Sequence, residues 1–316
     1  MQVTRRDFSR AAVAVLSSTT TLGSAATLCC PSTLLQAAVP SNKHDDLVGK
    51  IGITTGTVMR HLSETATEGK IRLLDLPVIL RDELDMDVLD LMSANLPSLE
   101  PAYLTKLRDR AERAGCTLTN LKMNQKGIDM GSPDPETRKL AMVDYKKSID
   151  AAAVLGCRWA RPLPLFDAPD FDAYVQSYRE LVEYAAEKDI AMLIENFGWI
   201  QDDPDAVPRV LDAVGDGLFV SVDTGNWTDA ARYQGLENAY PHAVTCDFKV
   251  KTMSAPDAQG VIGHDAYDLE RCFQIGWDAG YRGPWFFEHM DKSLPKLMQE
   301  LALLRDMIRG WTQQQK

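Results

Sequence analysis

Phe219-Val220-Ser221-Val222-Asp223-Thr224-Gly225-Asn226-Trp227 is a short, almost wholly apolar run that delivers an aspartate just before a Thr-Gly turn. A run of this length, bounded by a turn, is the pattern of a strand buried on both faces. Ala191-Met192-Leu193-Ile194-Glu195-Asn196 repeats the construction with a glutamate, and Gly283-Pro284-Trp285-Phe286-Phe287-Glu288-His289 repeats it again. Between them Ala243-Val244-Thr245-Cys246-Asp247-Phe248-Lys249-Val250-Lys251 places Asp247, Lys249 and Lys251 on one face, since side chains alternate along a strand.

Upstream, residues 48–54, 86–92, 116–123 and 157–162 read as four more buried strands, joining 190–196, 218–223, 243–251 and 284–289. Amphipathic stretches at helical spacing separate them: 70–83, starting late or broken around Pro77, then 99–114, 135–155, 171–188, 205–214, 228–239 and 267–279, with 294–311 closing the chain. Pro101 suits a first helical turn, and Gly156 and Gly280 suit helix stops. Eight strands alternating with eight helices over about 270 residues is the rhythm of an α/β (β/α)8 TIM barrel. The rival, a doubly wound sheet, wants a glycine-rich phosphate loop after its first strand, and Gly52-Ile53-Thr54-Thr55-Gly56 is too loose for one. The expected organisation is a signal peptide over 1–38 and a single barrel domain over 45–316.

The N-terminus carries an address. Thr4-Arg5-Arg6-Asp7-Phe8, the weakly apolar run that follows and the small residues near Gln36-Ala37-Ala38 read as a twin-arginine signal with its cleavage site, which predicts a periplasmic or extracellular protein. Cys29 and Cys30 do not make a lipobox, because Leu28 stands where a small residue is needed. The 316-residue chain has 45% hydrophobic and 25% charged residues, a globular composition, and a net charge of −11. That acidity argues against a nucleic-acid partner, which requires a positive stripe. No uninterrupted apolar run is long enough to span a membrane once the signal is removed. Cys116, Cys157, Cys246 and Cys272 lack any metal-binding spacing and read as small buried hydrophobes.

Barrel enzymes place their chemistry where the strands end. Four successive strands here end in Glu195, Asp223, Asp247 and Glu288. Carboxylates so close together repel, and burial raises the cost unless a cation holds them or some take up protons. A divalent metal resolves this, and oxygen donors suit Mn or Mg. Arg161, near the end of the fourth strand, can pair with an anionic substrate or with Glu195, and Trp199, Trp227 and Trp285 offer rings either to a sugar or to the core. Of the five histidines, His264 and His289 fall on the expected catalytic face, His61 in the loop after the first strand, and His44 and His242 away from it.

Leu193-Ile194-Glu195-Asn196, Val222-Asp223-Thr224-Gly225-Asn226-Trp227, the lysine-bearing seventh strand and Gly280-Tyr281-Arg282-Gly283-Pro284-Trp285-Phe286-Phe287-Glu288-His289 resemble the sugar phosphate isomerase/epimerase family of xylose-isomerase-like TIM barrels. The resemblance runs from about Lys50 to Trp311 and is most specific in the second half. It implies one divalent metal (Mn, Mg or Zn) held from strands five to eight by Glu, Asp, His and Glu, with Glu195, Asp223 and Glu288 in three of those places. It also implies that Glu195 and Glu288 serve as base and acid.

At the third place the family carries His-x-Lys, and this chain carries Asp247-Phe248-Lys249; where tagatose epimerases place a substrate-binding histidine, it carries Asn226. Three arrangements follow: Asp247 ligates in a harder all-oxygen site, His264 swings in as the imidazole, or the barrel binds without turnover. The function expected is isomerisation or epimerisation of a sugar or keto sugar by proton abstraction beside a carbonyl, with Lys249 balancing the developing oxyanion. Dehydration or elimination of a keto sugar would use the same groups, and a non-catalytic sugar-binding barrel is the other class. An apurinic-endonuclease-like phosphodiesterase would need a histidine cluster and a basic groove, and the chain offers neither.

Overall fold

The computed structural model describes residues 45–65, 67–124, 127–255 and 262–315. The signal peptide expected over 1–38 lies outside the described residues, as does His44. Eight parallel strands close into a barrel in chain order: β1 (Ile51–Thr54), β2 (Val88–Met92), β3 (Thr117–Met123), β4 (Trp159–Pro162), β5 (Ala191–Glu195), β6 (Leu218–Asp223), β7 (Ala243–Val250) and β8 (Trp285–His289), with β8 pairing back onto β1. A single turn, α1 (Thr55–Val58), follows β1. The outer ring is α2 (Leu76–Leu84), α3 (Pro101–Ala114), α4 (Pro135–Leu155), α5 (Phe171–Ala186), α6 (Ala206–Val214), α7 (Arg232–Ala239), α8 (Leu269–Asp278) and α9 (Leu294–Gln314). This is the (β/α)8 barrel that the spacing predicts.

Helix ends follow local chemistry. Asp134, Asp170, Asp268 and Ser293 each accept a bond from a backbone N–H of the first turn of α4, α5, α8 and α9. The first outer helix begins at Leu76 rather than Lys70, because Pro77 fits only the opening turn and Leu73–Asp75 form a tighter turn before it. Similarly, α7 starts at Arg232, since residues 228–231 are spent on a turn anchored by Thr228 N–H on the Gln201 carbonyl at 3.0 Å.

Strand alternation divides the core in two. Leu89, Leu121, Ile194, Val222, Cys246 and Phe287 point outward and pack under the helices. Val88, Trp159, Leu193, Val244 and Phe286 point inward and, with Leu47, form a separate apolar floor across the barrel's lower end. Each such side chain contributes about 1.5–3 kcal/mol on burial. One step higher than Val88, Trp159, Leu193 and Phe286, the inward positions Asp90, Arg161, Glu195 and Glu288 are all charged, so on these four strands the interior changes from hydrocarbon to charge within one pleat; on β7 a bulge at Val244 shifts the alternation.

The C-terminal helix is tied to the sheet by His289, whose Nε2 meets Glu300 at 2.8 Å and whose Nδ1 meets the Val250 carbonyl at 3.0 Å. The four cysteines are buried and free, as expected of small hydrophobes; burial pushes Cys116 and Cys272 up to about 12, which keeps them as thiols. Among the described residues no helix is long and apolar enough to cross a membrane.

Candidate active site

The register of the ladder decides which strand-end groups meet. Asp223 lies directly across from Asp247 on the β6–β7 ladder, and Glu195 reaches the same point from β5. Oxygens of these three carboxylates lie within 4.8 Å of one another, all buried. Glu288 pairs in register with Lys249, two residues beyond Asp247 along β7, so its carboxylate sits a layer nearer the mouth. The structure therefore brings three of the four expected ligands together and leaves Glu288 beside them, on Lys249 at 3.2 Å.

The carboxylates are held firmly. Asp223 N–H donates to Asn196 Oδ1 and Asn196 Nδ2 donates to the Asp223 carbonyl, both at 2.8 Å, which locks the ends of β5 and β6 together. Gly225 N–H donates to Asp223 Oδ1 at 2.8 Å, and Lys249 Nζ approaches Asp223 Oδ2 at 2.9 Å. Glu195 is gripped by Arg161 at 2.6 Å and by Asn226 Nδ2 at 2.8 Å, while Asn226 Oδ1 accepts from Lys249 at 2.6 Å. Asn196→Ala would strip partners from two buried backbone groups, at about 1–3 kcal/mol each. We expect a loss of at least about 2 kcal/mol in urea unfolding; an unchanged midpoint would show that the clamp carries no load.

Two further charged residues complete the interior. Lys122 on β3, 2% exposed, contacts Asp247 Oδ1 and stands 3.7 Å from Asp90 of β2, which also receives Thr119 and Asn120. Five carboxylates (Asp90, Glu195, Asp223, Asp247, Glu288) thus face three cations (Lys122, Arg161, Lys249). Burial pushes Asp223 up to about 7, with Glu288, Glu195 and Asp247 adding to the push against Lys249. Burial likewise raises Asp90 to about 7 against the pull of Lys122, and raises Glu195 against that of Arg161. For Glu288 burial is outweighed by Lys249, Lys122 and Arg161, which hold it below the usual carboxylate range.

This donor set fits a divalent cation. The charge deficit is two, the donors are hard oxygens, and Asp247 Oδ2 is buried with no hydrogen-bond partner among the described residues. Glu195, Asp223 and Asp247 are the residues that would hold the ion.

Other expected contacts fall elsewhere. His264 Nε2 accepts from Lys251 N–H at 3.0 Å, so its Nδ1 donates to the Tyr267 carbonyl at 2.8 Å; both nitrogens serve its own loop, and no lone pair is left for a metal. Trp227, 1% exposed, packs its indole over Gly235 of α7 and belongs to the core instead of the mouth, as does Trp285 under α8. Lys251 is exposed. Phe166, exposed in the loop after β4, stands 5.1 Å from Phe197, just past Asn196, and supplies an aromatic rim that the sequence reading passed over. Asp90 and Lys122 are further interior charges outside the strand-end pattern, each flanked on its strand by apolar residues that pack outward.

No curated protein matches the chain. Among solved structures it is similar to a xylose isomerase domain protein from Planctomyces limnophilus, at 16% identity over 84% of this chain and 98% of that one, TM-score 0.62. It is also similar to D-psicose 3-epimerase with D-tagatose from Clostridium cellulolyticum H10, at 16% identity over 83% and 98%, TM-score 0.62. A third, a xylose isomerase-like TIM barrel protein from Mycobacterium smegmatis in complex with magnesium, shares 17% identity over 83% and 97%, TM-score 0.60. At such identities the likeness establishes the fold. The sequence model described as xylose isomerase-like TIM barrel matches residues 83–311, most of the chain and seven of the eight barrel strands. The chain belongs to the xylose isomerase-like TIM barrel family.

Proposed function

We propose that the protein is a divalent-cation-dependent isomerase or epimerase that moves a proton beside the carbonyl of a sugar or keto sugar. The observation that carries this reading is the buried trio of Glu195 and Asp223, which end β5 and β6, and Asp247, level with Asp223 on β7, with Glu288 beside it. A divalent ion bound there supplies Lewis-acid polarisation of the substrate carbonyl. Glu195 from β5 and Glu288 from β8 flank the Asp223–Asp247 pair in strand order, which suits them to take the α-proton on one side and return it on the other. Lys249, held by Asp223, Glu288 and Asn226, presents its ammonium where negative charge develops on the carbonyl oxygen. Phe166 offers an apolar face for the ring.

The charge balance favours a neutral substrate. The three interior cations are already engaged by carboxylates, which leaves none of them to hold a phosphate. This agrees with export by the twin-arginine route to a compartment poor in sugar phosphates, which is part of the proposal. The same groups would serve a lyase or dehydratase acting on a keto sugar. A non-catalytic sugar-binding barrel is the second reading, favoured by the ion pairs that already occupy Glu195 and Glu288.

The test joins elemental analysis to solvent exchange. We expect about one equivalent of Mg or Mn per chain, lost in Asp247→Ala, and deuterium from heavy water at the α-carbon of keto sugars during turnover. Absence of exchange with every sugar bound would leave the binding barrel as the reading. Turnover of a sugar phosphate far faster than of free or oxidised sugars would sink the neutral-substrate part.

A further inference from the structure

Lys122 has no part in the chemistry above, yet it is as deeply buried as Arg161, its register partner on β4. It is the last residue but one of β3, is almost completely buried, and contacts Asp247 through Oδ1, while Oδ2 of the same carboxylate has no hydrogen-bond partner among the described residues. On its other side Asp90 Oδ2 lies 3.7 Å away, beyond good hydrogen-bond distance but within one small swing of the ammonium. Asp90 is itself completely buried and is steadied by Thr119 and Asn120, so it is a fixed anchor. A lysine stem is long and rotatable and its ammonium has three donors, so it can exchange carboxylates without moving the backbone.

We infer that Lys122 is a resident counter-cation that competes with the divalent ion for Asp247, and that Asp90 is the carboxylate to which its ammonium retreats when the ion binds. The inference rests on the reading of Glu195, Asp223 and Asp247 as the ion's holders. Lys122 and Asp90 are then positioning residues with opposed effects. Lys122 lowers the site's affinity for a divalent ion, because two cations cannot share one buried carboxylate without repulsion. Asp90 raises that affinity, because it stabilises the ammonium in the position that frees Asp247.

The opposition of sign makes the test sharp. Mn(II) binding to the metal-stripped full chain is followed by the paramagnetic resonance of free Mn(II), for wild type, Lys122→Met and Asp90→Asn. Lys122→Met keeps the stem and removes the charge, and is expected to bind Mn(II) at least about tenfold more tightly. Asp90→Asn is nearly isosteric and is expected to bind at least about threefold more weakly. A residue that merely supports the fold would weaken binding when removed in either case. Wild-type binding with Lys122→Met unchanged or weaker would overturn the inference and leave the proposed function standing. No binding by wild type and Lys122→Met at millimolar Mn(II) would overturn both. Should Lys122→Met fail to fold, Asp90→Asn decides alone: equal or tighter binding overturns the inference.

Discussion

Turnover of the best keto sugar is expected to fall by about 10²–10⁴-fold when Glu288 is replaced by glutamine, the range typical of losing a positioned proton carrier. The amide keeps the shape and can still accept from Lys249, which loses one of two carboxylates but retains Asp223. Sugar affinity, measured by calorimetry, should therefore stay within about threefold while kcat collapses, because the loss is confined to the transition state. Glu195→Gln should match it in turnover but differ in stability. Arg161 is as buried as the glutamate it faces, and removing one partner of such a pair typically costs about 3–5 kcal/mol. Turnover surviving both substitutions would remove the two carboxylates from the reaction and leave a barrel that binds sugar without converting it.

The largest effect on stability is expected at a residue that touches no ligand. Gly52 sits in β1 directly beside β2, and a β-carbon there would fall 1.8 Å from the Val88 carbonyl oxygen and 2.8 Å from a Val88 methyl. The obstacle is backbone, which cannot swing aside, so Gly52→Ala must push β1 away from β2 and open the ladder on which barrel closure depends. The cost should reach the upper end of what overpacking produces, about 4 kcal/mol, read as a lower midpoint in urea. A loss under about 1 kcal/mol would mean that the two strands can separate locally without disturbing their neighbours.

Much of this was legible in the residues because the barrel repeats one rule eight times. Each strand is a buried run ended by a turn, and that pattern places Glu195, Asp223, Asp247 and Glu288 at strand ends before any coordinates are considered. What the pattern does not carry is height. Whether Glu288 joins the other three depends on the β7–β8 register, which sets it level with Lys249, and sequence alone does not fix a register between strands 34 residues apart. Asp90 and Lys122 escaped for a related reason. They lie on β2 and β3, in the half of the chain where the resemblance is carried by rhythm alone. The usable signal is a lone charge between outward-packing neighbours: Asp90 stands between Leu89 and Leu91, and Lys122 between Leu121 and Met123. For Trp227 and His264, proximity to a strand end says nothing of where the side chain turns once its loop has formed.

The apolar floor of Leu47, Val88, Trp159, Leu193, Val244 and Phe286 has a kinetic consequence. Among the described residues it plugs the lower end, which leaves the end where the carboxylates stand as the way into the interior. Loading through one doorway is last in, first out. An ion seated on Glu195, Asp223 and Asp247 would have to enter before the sugar and could leave only after it, so saturating sugar should slow the ion's escape, while excess ion should leave the sugar's departure untouched.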